Sequence, residues 1–146
     1  MVLGNFLLDY AYLVCGRLLD VVSTRVLFKS RDAIELNEGM REDMVNYSLD
    51  TTLIKNFLGS TVFDAAVLGS AYGVDSLLGM ENNMLNFHNL YTYGFMGPFS
   101  YLAAANNLAW AFGFDKLGNV LSKPLLLRYV AIEFSMYKLI DAFDKL

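Results

Sequence analysis

The feature that most constrains the fold is a long run of residues without any charged side chain. Residues 82–114 contain no Asp, Glu, Lys or Arg. A membrane core about 30 Å thick needs about 20 mostly apolar helical residues to cross it, and residues 90–114 are long enough. Aromatic side chains lie near both ends of this stretch, as in the aromatic belts of membrane proteins. They are Tyr91, Tyr93, Trp110, Phe112 and Phe114. The stretch therefore predicts an integral membrane protein, with the lipid bilayer as its first partner.

The composition agrees with this prediction and argues against other classes. Hydrophobic residues make up 55% of the 146-residue chain, charged residues only 18%, and the mean hydropathy is +0.39. Soluble domains usually carry about 25% charged residues. The net charge of −4 and the lack of a basic run argue against a nucleic-acid partner. The single cysteine, Cys15, excludes an internal disulfide. The alternative is a soluble all-helical domain with an unusually apolar core.

The length predicts one domain, residues 1–146, with an all-α fold. We expect a membrane-embedded helical bundle of three spans, at residues 2–28, 49–78 and 90–114. The second span is rich in small residues that allow helices to approach closely in lipid. Gly94, Gly97 and Pro98 are expected to bend the third span, because proline lacks a backbone donor.

The C-terminal part predicts a turn followed by an amphipathic helix. We expect the turn at residues 115–123 and a helix from Pro124 onward, with apolar and charged residues on opposite faces. Such a helix lies in the membrane interface or packs on the outside of the bundle. A fourth span is the alternative, although Glu133 and Lys138 would then fall inside the membrane.

Lys and Arg residues alternate between the predicted loops. Residues 29–47 contain Lys29, Arg31 and Arg41, and the turn after the third span contains Lys116 and Lys123. The loop between the second and third spans has none. By the positive-inside rule, residues 29–47 are cytoplasmic and the N-terminus lies outside.

A polar motif joins the first span to the first loop. Asp20, Ser23 and Thr24 lie late in the span, and Glu35 and Asn37 follow in the loop. This motif resembles a family of small polytopic membrane proteins of bacteria and archaea, a domain family of unknown function. Glu38 stands where that family has proline, and the usual glycine before the Glu is missing. The resemblance covers about a fifth of the chain, and it implies a membrane fold of three or four helices with no known activity.

Several polar residues fall within the predicted spans and are expected to meet inside the bundle. Charged groups in a membrane normally face protein rather than lipid. We predict an intramembrane polar cluster that locks the helices in register, formed by Arg17, Asp20, Ser23, Thr24, Asp64 and Asn106. The alternative is a proton or cation path through Asp9, Asp20 and Asp64.

The sequence offers little for catalysis or cofactor binding. Met80, Met84 and His88 are spaced four residues apart, and thioether and imidazole ligands suit Cu(I). Methionines at helical spacing are more often packing residues, and we predict neither a metal nor a cofactor. No nucleophile lies in an elbow-like glycine context, and no phosphate-binding glycine loop is present.

These features together predict a non-catalytic accessory subunit of a larger membrane complex. It would pack against other membrane subunits through small-residue and polar helix faces. The alternative function is a small ion, proton or solute carrier that uses Asp20 and Asp64. A membrane enzyme with a metal at Met80, Met84 and His88 is the third possibility.

Overall fold

The protein is all-helical, as the computed structural model shows for residues 2–31, 38–80 and 86–125. The helices are α1 (Val2–Ser30), α2 (Glu38–Asn46), α3 (Leu49–Leu77), the short α4 (Phe87–Asn89) and α5 (Gly97–Ala111). A π-helical segment, Leu90–Met96, joins α4 directly to α5. Residues 115–125 are also helical and are named α6 as far as they are described. The prediction of an all-α fold is confirmed.

Local signals fix where α3 begins and where the turns fall. The Ser48 side chain accepts a hydrogen bond from the backbone N–H of Thr51, which satisfies one of the open donors at the start of α3. Gly79 and Gly113 have positive φ values of 65° and 81°, which glycine adopts without strain. The first follows the end of α3 and the second follows α5.

The π-helical segment occupies the place where a bend was predicted. The N–H of Gly97 donates to the carbonyl oxygen of Thr92, five residues earlier, and Pro98 then has no N–H to contribute. A Cβ on Gly97 would collide with the ring of Tyr12. Glycine at this position therefore allows α5 to lie directly against α1.

Helix α1 is the centre of the bundle. It packs against both α3 and α5, whereas α3 contacts α1, α2, α4 and the π-helical segment but not α5. A small apolar core forms where α1, α3 and the π-helical segment meet, from Leu13, Leu68 and Met96. Helices α3 and α5 therefore each pack against α1 but not against each other.

Within the described residues, polar and apolar side chains are distributed unevenly between the interior and the surface of the bundle. Among the described residues, buried polar and charged side chains outnumber buried apolar ones. The buried polar set is Asp9, Ser23, Thr24, Thr52, Thr61, Asp64, Asp75, Asn86, His88, Thr92 and Ser100. Large apolar side chains instead cover the outside of α1 and α3. They include Leu7, Leu8, Leu18, Leu19, Val22, Ile54, Leu58, Val62, Phe63, Val74 and Leu77.

Among the described residues, one helix is long and apolar enough to cross a membrane. It is α3, whose most apolar window has a mean hydropathy of 1.3 and is only 17% buried. Helix α1 has the length but carries Asp9, Arg17, Asp20 and Arg25, and α5 has only 15 residues. The bundle of three spans therefore stays a prediction.

The region after α5 differs from the expected turn. Residues 115–125 are helical, so the helix begins well before Pro124. The chain reverses in a tight turn at Gly113, and Ser122 then bonds back to the Gly118 carbonyl oxygen and to Asn106. Trp110 lies against Gly118, where a side chain would collide with its ring. The rest of the predicted amphipathic helix, residues 126–146, lies outside the described residues.

Candidate functional site

The candidate site is the polar interior of the bundle, and its centre is an ion pair between α1 and α3. Arg17 donates from Nε to Asp64 Oδ2 over 2.9 Å and from Nη2 to Asp64 Oδ1 over 3.1 Å. Tyr91 of the π-helical segment donates its hydroxyl to Asp64 Oδ1 over 2.7 Å. Asp64 is fully buried and the Arg17 side chain is 16% exposed. Three helical elements therefore meet at one carboxylate.

This ion pair holds the helices in register rather than adding much net stability. A bidentate Arg–carboxylate pair is among the stronger and more directional interactions in proteins. Removing two charges from water nevertheless offsets most of their attraction. What the pair does impose is geometry, because a shift of α1 along α3 would leave both charges buried without partners.

A second polar group lies toward the C-terminal half of α1. The side-chain amide of Asn107 on α5 lies 2.9 Å from Thr24 Oγ1, 3.2 Å from Asp20 Oδ1 and 3.3 Å from Ser23 Oγ. Ser23 also donates its hydroxyl to the backbone oxygen of Asp20 over 2.8 Å. Asp20, Ser23 and Thr24, three residues of the predicted cluster, are thus gathered around one amide.

Asn106, which the sequence placed in this cluster, lies elsewhere. Its side-chain oxygen accepts a hydrogen bond from Ser122 of α6 over 3.1 Å. Successive residues on an α-helix are turned by about 100° from each other. When Asn107 faces α1, Asn106 therefore points in a different direction. The asparagine that binds the polar residues of α1 is thus Asn107 and not the predicted Asn106.

A third polar group lies toward the N-terminal end of α1, where Asp9 binds two tyrosines. Its Oδ2 accepts from Tyr72 of α3 over 2.6 Å and its Oδ1 accepts from Tyr93 over 2.5 Å. Asp9 is 5% exposed. The phenol groups thus satisfy this carboxylate without a positive charge, and they join the same three helical elements as the central ion pair.

A fourth polar group closes the same end of the bundle. Asp75 accepts hydrogen bonds from the backbone N–H groups of Phe87 and His88, at 2.8 and 2.9 Å. Its Oδ2 also lies 2.7 Å from His88 Nδ1, and Asn86 Nδ2 lies 3.3 Å from His88 Nε2. The His88 ring stacks on Tyr72 with 3.9 Å between centroids. The last turn of α3 therefore anchors the start of α4, because its carboxylate binds the first N–H groups there.

The spacing of Met80, Met84 and His88 would place them on one face of a continuous helix, but Met80 and His88 do not lie on one helix. Met80 follows the end of α3 outside any helix, and His88 lies in α4. Met84 lies outside the described residues. Both ring nitrogens of His88 already face protein groups, Asp75 and Asn86.

Exposed charges are concentrated at the opposite end, where α1 finishes and α3 begins. Three ion pairs between described residues lie there: Arg25–Asp50 at 2.6 Å, Arg31–Asp115 at 2.9 Å and Lys55–Asp43 at 2.6 Å. They connect α1 to α3, α1 to α6 and α2 to α3. In the described ranges, the end that contains Asp9 and Asp75 has no exposed charged side chain.

Sequence reasoning found part of this interior and missed its tyrosines. It placed Arg17 and Asp64 in one cluster, and the structure joins them directly. It did not identify Tyr72, Tyr91 or Tyr93 as partners of buried carboxylates. A hydroxyl within an apolar run was the available signal, but tyrosine also fits an aromatic belt. The loop motif, Glu35 and Asn37, lies outside the described residues.

The interior contains groups that bind one another, and the described part offers no arrangement of nucleophile, base and oxyanion donors. Its carboxylates at Asp9, Asp64 and Asp75 each accept at least two hydrogen bonds. Comparison with protein-family models, with curated proteins and with solved structures finds no match. The resemblance to the small polytopic membrane family therefore stays a prediction.

Proposed function

We propose that this chain is an integral membrane subunit without an active site of its own, which packs within a larger assembly of membrane helices. One observation carries the proposal: the polar side chains lie inside the bundle and the large apolar ones lie outside. Soluble monomers rarely expose continuous apolar patches larger than a few hundred Å². Lipid and neighbouring helices are the surroundings that suit such a surface.

The hydrogen bonding of the interior supports a structural role. Arg17, Asp64 and Asp9 all have hydrogen-bond partners within the chain, so these buried groups do not require a second protein as a hydrogen-bond partner. A partner would instead be attracted by the apolar surface and by close helix packing.

The exposed face of α3 offers a place for such packing. Ser70 and Gly73 are exposed near its C-terminal end, and a Cβ added at Gly73 would meet nothing within 4 Å. Small residues let two helix backbones approach closely in a membrane, where van der Waals contact drives association. This face is the surface on which we expect another subunit.

The charge distribution supports one orientation. Arg25, Lys29, Arg31, Lys55 and Lys116 lie at the end where α1 finishes, whereas the described part of the opposite end has no Lys or Arg. We therefore propose that this charged end, with residues 29–47, is cytoplasmic and that the N-terminus is outside.

Membrane extraction and mild-detergent purification test the two parts of the proposal. The protein should remain in the membrane pellet after alkaline carbonate treatment and should co-purify with other membrane proteins at native abundance. Gly73→Leu should weaken that association. Release by carbonate would contradict the membrane location. A free monomer without partners would contradict the subunit role.

A second candidate function is a proton or cation carrier, and one observation favours it. Thr92 is fully buried and its hydroxyl has no hydrogen-bond partner among the described residues, although Tyr91 beside it binds Asp64 and Tyr93 binds Asp9. A buried unpaired hydroxyl costs about 1–3 kcal/mol and calls for an explanation. In this alternative it would bind a passing ion or water between the two carboxylates.

Flux measurements in liposomes test the carrier. Asp20→Asn, Asp64→Asn and Thr92→Val should each reduce flux, and Thr92→Val breaks no hydrogen bond of the bundle. Unchanged flux in all three variants, with the helical content intact, would eliminate this candidate.

A further inference from the structure

A cleft formed by α1, α2, α3 and the π-helical segment contains a cavity of about 440 Å³. Its floor is α1, its wall is α3, and α2 lies across one end. The cavity extends along α3 from Lys55 to Phe63, which is about two turns or roughly 12 Å. It is therefore elongated and opens at the side of the bundle.

The mouth of this cavity lies at the charged end and presents both signs of charge. Lys55 Nζ binds Asp43 Oδ1 at 2.6 Å, and both side chains are partly exposed there. Asn56 and Ser60 follow deeper in, and within the described part of the chain neither side chain makes a hydrogen bond. The mouth thus combines one cation, one anion and two unused polar groups.

The inner part of the cavity is apolar and electrically balanced. Met40, Phe63 and Met96 line it, and Arg17 reaches its floor with its charge already matched by Asp64. Gly59 faces open space, since a Cβ there would meet nothing within 4 Å. An acyl chain suits such a wall, because methionine and phenylalanine adapt to a flexible apolar ligand.

We propose that this cleft binds one zwitterionic phospholipid. The phosphate of the lipid would face Lys55 and its ammonium group would face Asp43. Asn56 and Ser60 would donate to the ester carbonyl oxygens, and the acyl chain would lie against Phe63 and Met96. A purely anionic headgroup is disfavoured because Asp43 lies at the mouth and the charges of the cleft are already balanced in pairs. The inference rests on the proposed membrane location.

Native mass spectrometry of the purified protein tests this binding site. The protein is incubated in mild detergent with equal amounts of phosphatidylethanolamine, which is zwitterionic, and phosphatidylglycerol, which is anionic. We expect one bound lipid per chain with a preference for phosphatidylethanolamine. Gly59→Leu fills the cleft without a clash and should reduce the bound fraction by about tenfold, equivalent to 1.4 kcal/mol.

Gly4→Leu is the matched control, because it adds the same side chain at an equally open helical position outside the cleft. It should leave lipid binding unchanged. Equal binding by both variants, or a preference for the anionic lipid, would overturn the inference. Protein that stays in carbonate-washed membranes but carries no lipid would refute this site alone, whereas release from the membrane would refute the proposed location.

Discussion

Two Arg–Asp pairs connect α1 to α3, and their geometry is nearly the same. Arg17 binds Asp64 with contacts of 2.9 and 3.1 Å, and Arg25 binds Asp50 with contacts of 2.6 and 2.9 Å. Their surroundings differ. Side-chain exposures are 16% and 0% in the first pair but 49% and 51% in the second. The same type of ion pair thus occurs once in the middle of the bundle and once at its charged end.

The comparison shows that burial, not bond length, decides what an ion pair does. At the exposed pair, water and salt compete for both charges, so either partner can be lost at little cost. At the buried pair, no water replaces a missing partner, so the remaining charge is left in an apolar environment. The buried pair therefore specifies the register of the helices, and the exposed pair adds little to it.

The largest expected effect comes from breaking the buried pair. Arg17→Met or Asp64→Leu alone should lower the free energy of unfolding by about 3–5 kcal/mol, because each leaves an uncompensated charge. The double variant should recover part of this loss, because it leaves no unpaired charge, although the Tyr91 hydroxyl still loses Asp64 as its acceptor. Titration with SDS in mixed micelles measures these values. A double variant as unstable as the worse single variant would contradict the argument.

The next effect concerns the hydroxyl of Tyr91, which donates to Asp64 in addition to Arg17. Within the described residues, Asp50 accepts hydrogen bonds from Arg25 but has no such second donor on its side chain. Tyr91→Phe should cost about 1.5–3 kcal/mol, since its hydroxyl binds a charged carboxylate. Tyr101→Phe is the control, because Tyr101 donates to the backbone oxygen of Tyr12 at 3.2 Å. It should cost about 0.5–1.5 kcal/mol in the same SDS titration. Equal losses would show that the charge of Asp64 does not strengthen its bond with Tyr91.

Adjacent asparagines on α5 extend the comparison to uncharged groups. Asn107→Ala should cost about 1–2 kcal/mol, because it leaves buried Ser23 and Thr24 without their amide partner. Asn106→Ala removes one hydrogen bond to Ser122, which keeps its bond to the Gly118 oxygen. Thermal unfolding followed by circular dichroism should show a clearly lower midpoint for Asn107→Ala only. The reverse order would contradict the orientation of α5.

The smallest effect is expected at the exposed pair. Arg25→Gln should leave the unfolding midpoint almost unchanged at about 0.15 M salt, because exposed ion pairs contribute only about 0–1 kcal/mol. A small loss should appear only at low salt. This substitution leaves Asp50 in the first turn of α3, where a negative charge remains favourable. A loss as large as that of Arg17→Met would remove the distinction between the pairs.

Much of the fold was predictable because helical periodicity and apolar length are local properties. The sequence placed the limits of α1 and α3 within two residues of those observed, since apolar runs mark them. The predicted turn at residues 115–123 was wrong, because the chain turns at Gly113 and a helix begins at residue 115. The sequence also predicted Arg17 and Asp64 in one cluster, because charges in apolar helices turn toward protein.

By itself the sequence determined that the chain is helical, and it predicted that the charges within its apolar segments face protein. Only the tertiary structure decided which partners they have. A helical pattern fixes which residues share a face, but the rotation of each helix fixes which face it presents to its neighbour. That rotation selects Asn107 over Asn106, and it brings three tyrosine hydroxyls onto Asp9 and Asp64.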